Sequence, residues 1–409
     1  MIYEVIICGG GPAGAYAGYA LAHKGRKVAI VEKERYPRTK PCGGILRPAI
    51  IDFRDVVRKI GRFDEGITYA ASVHSPSGKY TMRYRSSMPL AYNVRREKFD
   101  ASLAEMAKDA GVDFFEGESV KKVGYIGEKG EGDVKVEFVL TGGKSIFGKF
   151  AIGAGGVRCP VGKFLREREK IENSSNDSLG FAVVSECEVG EEFIAQTYGK
   201  DFETHIFFKE YKGYGWVFPK RNVVNFGIGA YWRDARRHNM MREARGFAKN
   251  LVKMGLIPRM AESKIRFKGG LLPLGQNRGR ISTERILLVG DAAGFASPLT
   301  GEGIYYAIQS GKIASEVLNN ALDREKRGEI SRDYLYCYER ECNEKFGREL
   351  EDARSIANMV FSKPEMIVKY SVNDVVLQNC FAECFSVTSD LKKVRRRALV
   401  SILKHIFFG

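Results

Sequence analysis

What this chain of 409 residues lacks narrows the field before any motif is read. No stretch approaches the ~18 uninterrupted apolar residues that a membrane span needs. The opening MIYEVIICGGG has neither a basic leader nor a small-residue cleavage site, so no secretory signal is expected and the reading is cytoplasmic. Cysteines Cys8, Cys42, Cys159, Cys187, Cys337, Cys342, Cys380 and Cys384 are too scattered for a disulfide framework. Cys337 and Cys342 have the wrong spacing for a zinc ribbon, and Cys380 and Cys384 stand one helical turn apart. Both pairs read as buried helical thiols, and no metal is expected. The formal net charge of +16 asks for an anionic partner. No RNP, zinc-finger or helix-turn-helix signature accompanies it, so nucleic acid is set aside in favour of anionic lipid head groups. No internal repeat or low-complexity segment stands out.

What is present begins with a strand, a tight turn, a helix and a second strand. Glu4 to Cys8 and Lys27 to Val31 are short apolar runs, and Ala13 to His23 between them is rich in alanine. Together they make a βαβ unit of about 30 residues. From Gly66 to Asn93 the pattern is β-like, with a hairpin signal at Pro76-Ser77-Gly78. Lys98 to Ala110 reads helical, and Val134 to Ile152 reads as strands around Gly142-Gly143. Several short strands follow between Ser178 and Tyr231, then a charged helical stretch from Arg233 to Met254. A strand at Arg285 to Val289 precedes a long helix opening near Gly303, and the last eighty residues are mostly helical.

GGGPAG, Gly9 to Gly14, satisfies G-x-G-x-x-G between that first strand and helix. The first glycine permits the turn, the second admits a pyrophosphate, and the third allows close helix–strand packing. The phosphates then meet the free N–H groups of a helix N-terminus. Glu32 ends the second strand about 20 residues on, where an acid accepts from an unphosphorylated ribose, which points to NAD or FAD. Downstream, RILLVGDAAGFASPLTGEGIYYAIQSG repeats strand, loop and helix. Asp291 closes the strand, and Pro298, Gly301 and Gly303 open the helix toward an electron-rich ring edge, which favours FAD.

These pieces resemble, in order, the flavoprotein superfamily of p-hydroxybenzoate hydroxylase and geranylgeranyl reductases, over roughly residues 1–330. The stretch RREKFD matches its R-x-x-F-D element through Arg96, Phe99 and Asp100. The resemblance implies FAD contacts at Gly9, Gly11, Pro12, Ala13, Gly14, Glu32, Lys33, Cys42, Gly43, Gly44, Arg96, Gly290, Asp291, Pro298, Gly301, Gly303 and Ile304. One element departs: where the family carries G-A-D-G, this chain reads Gly153-Ala154-Gly155-Gly156. The implied fold is α/β. A Rossmann-type FAD-binding domain (1–60, 94–180, 265–330) is interleaved with an α+β substrate domain built on an antiparallel sheet (61–93, 181–264). A helical C-terminal region follows (331–409).

Two further motifs resemble the geranylgeranyl reductases in particular. KPCGGIL carries their P-C-G-G element, and YGWVFP their Y-x-W-x-F-P element through Tyr214, Trp216, Phe218 and Pro219. Strand alternation sends Tyr214, Trp216 and Phe218 to one face, a wide apolar wall for a hydrocarbon, with Pro219 ending the strand. The reaction implied is reduction of isolated C=C bonds in geranylgeranyl chains of archaeal-type ether lipids or of prenyl pyrophosphates, with Cys42 as the candidate proton donor. An FAD monooxygenase and a non-catalytic flavin-binding lipid carrier are the rival readings. The partners implied are a prenyl lipid and an electron donor, whether ferredoxin, NADPH or another reductant. The C-terminal LKKVRRRALVSILKHIFFG, Leu391 to Gly409, reads either as a helix on an anionic membrane surface or as a solvated, partly disordered tail.

Overall fold

A computed structural model describes residues 2–61, 65–127, 134–171, 178–275 and 279–408. Met1 and Gly409, which bound expectations above, lie outside the described residues, as do the intervening stretches of the expected domains.

The first sheet is built on the βαβ unit. Its strand order is Asp113–Glu116, Val28–Glu32, Ile2–Cys8, Ser145–Gly153, Lys135–Leu140, Val120–Ile126, with Ile286–Leu288 also pairing Ser145–Gly153. The strands around Ile2–Cys8 run parallel, and the Lys135–Leu140 pairings are antiparallel. Val28–Glu32 is buried throughout, as expected for a parallel strand covered on both faces. The helix Pro12–Ala22 packs beside the long helix Ile304–Lys326, both alanine-rich where they meet.

The second sheet has the order Lys268–Pro273, Leu179–Glu188, Val223–Tyr231, Gly213–Pro219, Thr204–Phe208, Ala70–His74, Thr81–Arg85. Every pairing is antiparallel except Thr204–Phe208 with Ala70–His74. Lys268–Pro273 thus joins the second sheet although the expected boundary put it with the first. Its partner, Leu179–Glu188, lies about ninety residues away, beyond the reach of a local pattern. Ile45–Leu46, Ala91–Asn93 and Ile67–Thr68 form a small bridge sheet between the two.

Alternation along Gly213–Pro219 sorts its residues by face. Val217 joins the apolar cluster under the helix Met240–Lys253, and a methyl at Gly215 would meet the Phe247 ring of that helix at 2.8 Å. Tyr214, Trp216 and Phe218 face the other way. The expected single helix from Arg233 to Met254 is two, Trp232–Ala235 and Met240–Lys253, because the Asn239 side chain accepts from Arg242 N and caps the second. A further helix, Glu191–Tyr198, stands among the strands, unforeseen in a run read as β.

The C-terminal region packs helices Arg348–Ser362, Pro364–Ser371, Val375–Ser386 and Leu391–Phe408 against the second sheet. Leu391, Val394, Ala398 and Ile402 form the buried stripe of the last helix. The reading of this segment as a solvated tail is therefore overturned: spacing at i, i+3, i+7 and i+11 gives it a face to dock. Leu399, Val400, Leu403, Ile406 and Phe407 are exposed on the same helix. Among the described residues no helix is long and apolar enough to cross a membrane.

Candidate cofactor and substrate site

A single cavity of about 240 Å³ joins the two sheets. Gly11, Pro12 and Ala13 border it at one end, and Tyr214, Trp216 and Phe218 at the other. Between them lie Cys42, Gly43, Gly44, Arg96, Gly290, Asp291, Pro298, Gly301, Gly303 and Ile304. Motifs as much as 290 residues apart in sequence are thus brought together.

At the phosphate end, the three motif glycines have different reasons to be glycine. Gly9 has φ +105°, and a methyl there would strike Ala154 O at 2.5 Å. One at Gly14 would strike Gly9 O at 2.0 Å. A methyl at Gly11 would meet only Arg38 Nη2, at 3.7 Å, so the fold leaves that space open. Gly11 is also the N-cap of Pro12–Ala22 and offers no side chain to the helix's free N–H groups. Open space over uncapped donors fits a dinucleotide pyrophosphate. Glu32 accepts from Gly10 N at 2.8 Å and Glu34 N at 3.1 Å, which fixes the carboxylate beside the turn. Lys33 is 70% exposed in its side chain, stands 3.8 Å from Glu34, and does not border the cavity.

The arginine of the RREKFD stretch is already engaged. Arg96 donates from Nε and Nη2 to the two oxygens of Asp100, each at 2.8 Å, and also interacts with the Cys42 thiol. Arg38 Nη2 reaches the same carboxylate at 3.1 Å. Burial would raise the Asp100 pKa, but Arg96, then Arg38 and Lys40, hold it below the usual range. Arg38 was not foreseen. It lies beside Gly11 with its Nε shielded, 3.9 Å from Glu32 Oε1 and without a hydrogen bond, and its only sequence signal is a cation just ahead of the cysteine loop.

The two reductase-like motifs touch each other. A methyl at Gly43 would meet the Phe218 ring at 2.8 Å and Trp216 Nε1 at 3.6 Å. Gly44 has φ +66°, and a methyl there would strike Val94 O at 2.2 Å. Trp216 and Phe218 stack at 6.1 Å with 25° between planes, and Tyr214 turns edge-on to Trp216 at 61°. Pro219 ends the strand, and its carbonyl accepts from Asn93 Nδ2 at 3.0 Å; the residue itself does not border the cavity. Behind the rings, Asn225 accepts from Trp216 Nε1 at 2.9 Å and donates to Cys42 O at 2.9 Å. Glu186 accepts from Asn225 at 3.0 Å and from the wholly buried Lys220 at 3.0 Å. One amide thus fixes both the indole and the cysteine loop. Sequence reading missed Asn225 and Lys220, since each looks like an ordinary strand or turn residue until the second sheet closes.

Where the departing Gly153-Ala154-Gly155-Gly156 runs, Gly155 N donates to Cys159 Sγ at 3.3 Å, and a side chain at Gly155 would press on that sulfur. The thiol occupies the room an aspartate would need. Asp291 borders the cavity with Lys40 at 3.7 Å. A second cavity of about 110 Å³, lined mainly by apolar side chains, lies between the second sheet and the C-terminal helices. It shares Tyr214, Leu299, Thr300 and Phe385 with the first, and the Tyr214 hydroxyl donates to Thr300 O at that junction.

Comparison with known proteins agrees with this geometry. Residues 2–353 match the FAD binding domain family. An uncharacterized protein of Methanosarcina barkeri is 32% identical, over 78% of this chain and 75% of its own. The digeranylgeranylglycerophospholipid reductase of Methanocaldococcus jannaschii is 30% identical, over 84% of this chain and 83% of its own. Among solved structures, a geranylgeranyl bacteriochlorophyll reductase-like protein from Thermoplasma acidophilum superposes with a TM-score of 0.75 at 22% identity, covering 97% of this chain and 99% of that one.

Proposed function

We propose, from the premise that this chain belongs to the FAD binding domain family and to its geranylgeranyl reductase branch, that it saturates isolated C=C bonds in the geranylgeranyl chain of an isoprenoid lipid. It is a flavoprotein oxidoreductase with FAD as cofactor. The observation that carries the finer reading is the meeting of the two motifs: three rings on one strand face border the cavity that opens onto the phosphate turn, with the Cys42 loop packed against them.

Reduced FAD would supply the hydride of such a reduction; the rest falls to the chain. Unactivated alkenes are not polarised by a carbonyl, so the protein's contribution is to hold the bond close and dry. The ring wall presents a wide apolar surface that orients an extended chain and excludes water. Asn225 keeps wall and cysteine loop in register. Gly11, Pro12 and Ala13 would hold the phosphates, and Asp291 with the Pro298–Gly303 loop would hold the flavin end. Cys42 stands at the reacting end, where its thiol either gives a proton or positions the bond. The second apolar cavity suits the distal part of the chain. The last helix, with Lys392, Lys393 and Arg395 to Arg397 on one stretch and exposed Leu399, Val400, Leu403, Ile406 and Phe407 on the next, suits contact with an anionic bilayer.

The test is single-turnover reoxidation. Holoenzyme is reduced without oxygen, mixed with a geranylgeranyl lipid, and the product weighed by mass spectrometry. Reoxidation with added hydrogen in the lipid is expected, and Trp216→Ala should slow geranylgeranyl substrates more than farnesyl ones while FAD is retained. Reoxidation that needs oxygen and adds oxygen to the product would instead identify a monooxygenase, and no reoxidation by any prenyl lipid a carrier. Cys42→Ser that reoxidises at the wild-type rate removes Cys42 from the chemistry.

A further inference from the structure

The Pro298–Gly303 loop carries a carboxyl that the reading above does not use. Glu302 stands between Gly301 and Gly303 on the border of the cofactor cavity. Its Oε1 accepts from Tyr305 N at 2.7 Å, which caps the first turn of Ile304–Lys326. Its Oε2 has no hydrogen-bond partner and is shut off from solvent. Arg47 borders the same cavity and is the nearest candidate counter-ion, yet it is spent elsewhere. Its Nη1 and Nη2 donate to Glu349 at 2.6 and 3.1 Å, Nη1 also reaches Tyr306 Oη at 3.2 Å, and its Nε is unpartnered as well. The guanidinium carbon lies over the Tyr305 ring, 3.8 Å from its centroid. Two orphaned polar atoms beside one cofactor cavity are a departure from the rule that buried polar groups find partners.

The charged and titratable surroundings of Glu302 include Tyr305 and Tyr306 on the helix it precedes, Arg47 just after the strand Ile45–Leu46, and Glu349 from the helix Arg348–Ser362. Asp291, paired with Lys40, approaches from beneath Gly303. Burial pushes the Glu302 carboxyl up to about 7, Arg47 and the Tyr305 N–H pull the other way, and Glu349 adds to the rise. The acid therefore exchanges its proton near neutrality, where a general acid is most useful.

We propose that Glu302 is the proton-exchanging acid of the flavin cavity: it takes up a proton when the bound cofactor is reduced and releases it when the alkene is saturated. The second half of this statement rests on the reductase reading above. In that step the Oε2–H bond of Glu302 breaks and a C–H bond forms at one alkene carbon, which leaves Cys42 the positioning role. The other carbon would receive the hydride, with its electron pair, from the reduced flavin, which would return to FAD. The carboxylate regains a proton from water that enters the cavity it borders once the product has left, when the electron donor next reduces the holoenzyme. The helix cap at Oε1 holds the group in place through both states.

The experiment counts protons, which activity alone cannot do. Each proton coupled to a two-electron reduction moves the midpoint potential by about 30 mV per tenfold change in proton concentration. In FAD-loaded wild type, the slope above about pH 7 should exceed that of Glu302→Gln by one such proton. Glu302→Asp, which keeps a carboxyl, should retain the extra proton. An indicator dye in weak buffer gives the same count by direct uptake on reduction with dithionite, and in wild type it needs no variant. If Glu302→Gln fails to hold FAD, the wild-type uptake and Glu302→Asp decide. Equal slopes in wild type and Glu302→Gln, or no extra proton taken up by wild type, overturn the proposal. Extra uptake by an enzyme that leaves prenyl lipid unreduced keeps Glu302 as the flavin-linked acid and overturns the reductase reading instead.

Discussion

Asp100 and Glu302 are two carboxyls buried around the same cavity, and burial has opposite outcomes for them. Asp100 is wholly buried but receives Arg96 through two hydrogen bonds and Arg38 through a third contact, so it stays ionised well into acid. Glu302 has an arginine nearby too, but Arg47 is bidentate to Glu349 and leaves Glu302 Oε2 alone, so its pKa rises to about 7. Burial by itself decides neither case. What decides is whether the neighbouring guanidinium has a better partner, and that division separates a structural ion cluster from a group able to move protons.

The comparison can be broken at its strongest point first. Asp100→Asn takes the counter-charge from the buried Arg96 guanidinium and leaves Arg38 with Glu32 at 3.9 Å, and should cost about 3–5 kcal/mol. The signs follow from the depressed pKa: the stabilisation is present above the unfolded value of about 3.9 and lost as pH falls through the folded one. The deficit in urea unfolding should therefore be constant over about pH 5–8, which lies above that window. A deficit below about 1 kcal/mol would place Asp100 in the same class as an exposed pair.

Asn225 is the neutral counterpart, satisfied at both ends. Asn225→Leu strips partners from the Trp216 indole, the Cys42 carbonyl and Glu186, and should cost about 2–3 kcal/mol. The midpoint in urea is the readout, and an unchanged midpoint would mean that water replaces the amide at no cost.

Glu302→Gln carries a smaller effect with the opposite sense of pH. Its folded pKa lies above the ordinary 4.5, so the wild type is stable at acid pH and loses stability as pH rises from 4.5 to about 7, then levels off. The apoprotein of Glu302→Gln should lack this decline and gain about 1–2 kcal/mol on the wild type above neutrality, after screening through the open cavity. Parallel stability curves for the two proteins would show that Glu302 finds a counter-ion after all.

Lys40 and Asp291 sharpen the contrast from the wet side. They stand 3.7 Å apart at the cavity, with Lys40 40% exposed in its side chain. Lys40→Met should change folding stability by less than about 1 kcal/mol. A larger loss, read in the same urea titration, would mean that charge rather than burial governs the cavity's edge.

The parts of this molecule that could be read from sequence are those whose geometry is closed within a short segment. Gly9 and Gly14 meet across a single turn, and the period of two in Tyr214, Trp216 and Phe218 needs only one strand. Family motifs then pointed to one site, and the cavity borders most of the residues they named. The remainder depends on partners far along the chain. Asn225 is joined to Cys42 across 183 positions and Arg47 to Glu349 across 302, so neither has a local signature. Glu302 was visible only as part of a glycine loop, because its unusual state comes from a pairing made without it. Lys268–Pro273 escaped for the same reason: a strand's sheet is chosen by its neighbour, not by its own composition.

The last helix has apolar residues on two faces, and that sets a distance. Its inner stripe, through Val394 and Ala398, lines the second cavity, while Leu403 and Phe407 look outward. An α-helix with its side chains is about 10–12 Å across. Whatever covers the outer side chains is thus one helix thickness from the chamber. A geranylgeranyl chain crossing water would expose its methylenes at about 0.8 kcal/mol each, a toll on every turnover. On the reductase reading proposed above, a chain passing around this one helix would travel a path on the order of that 10–12 Å thickness and would be spared most of that exposure.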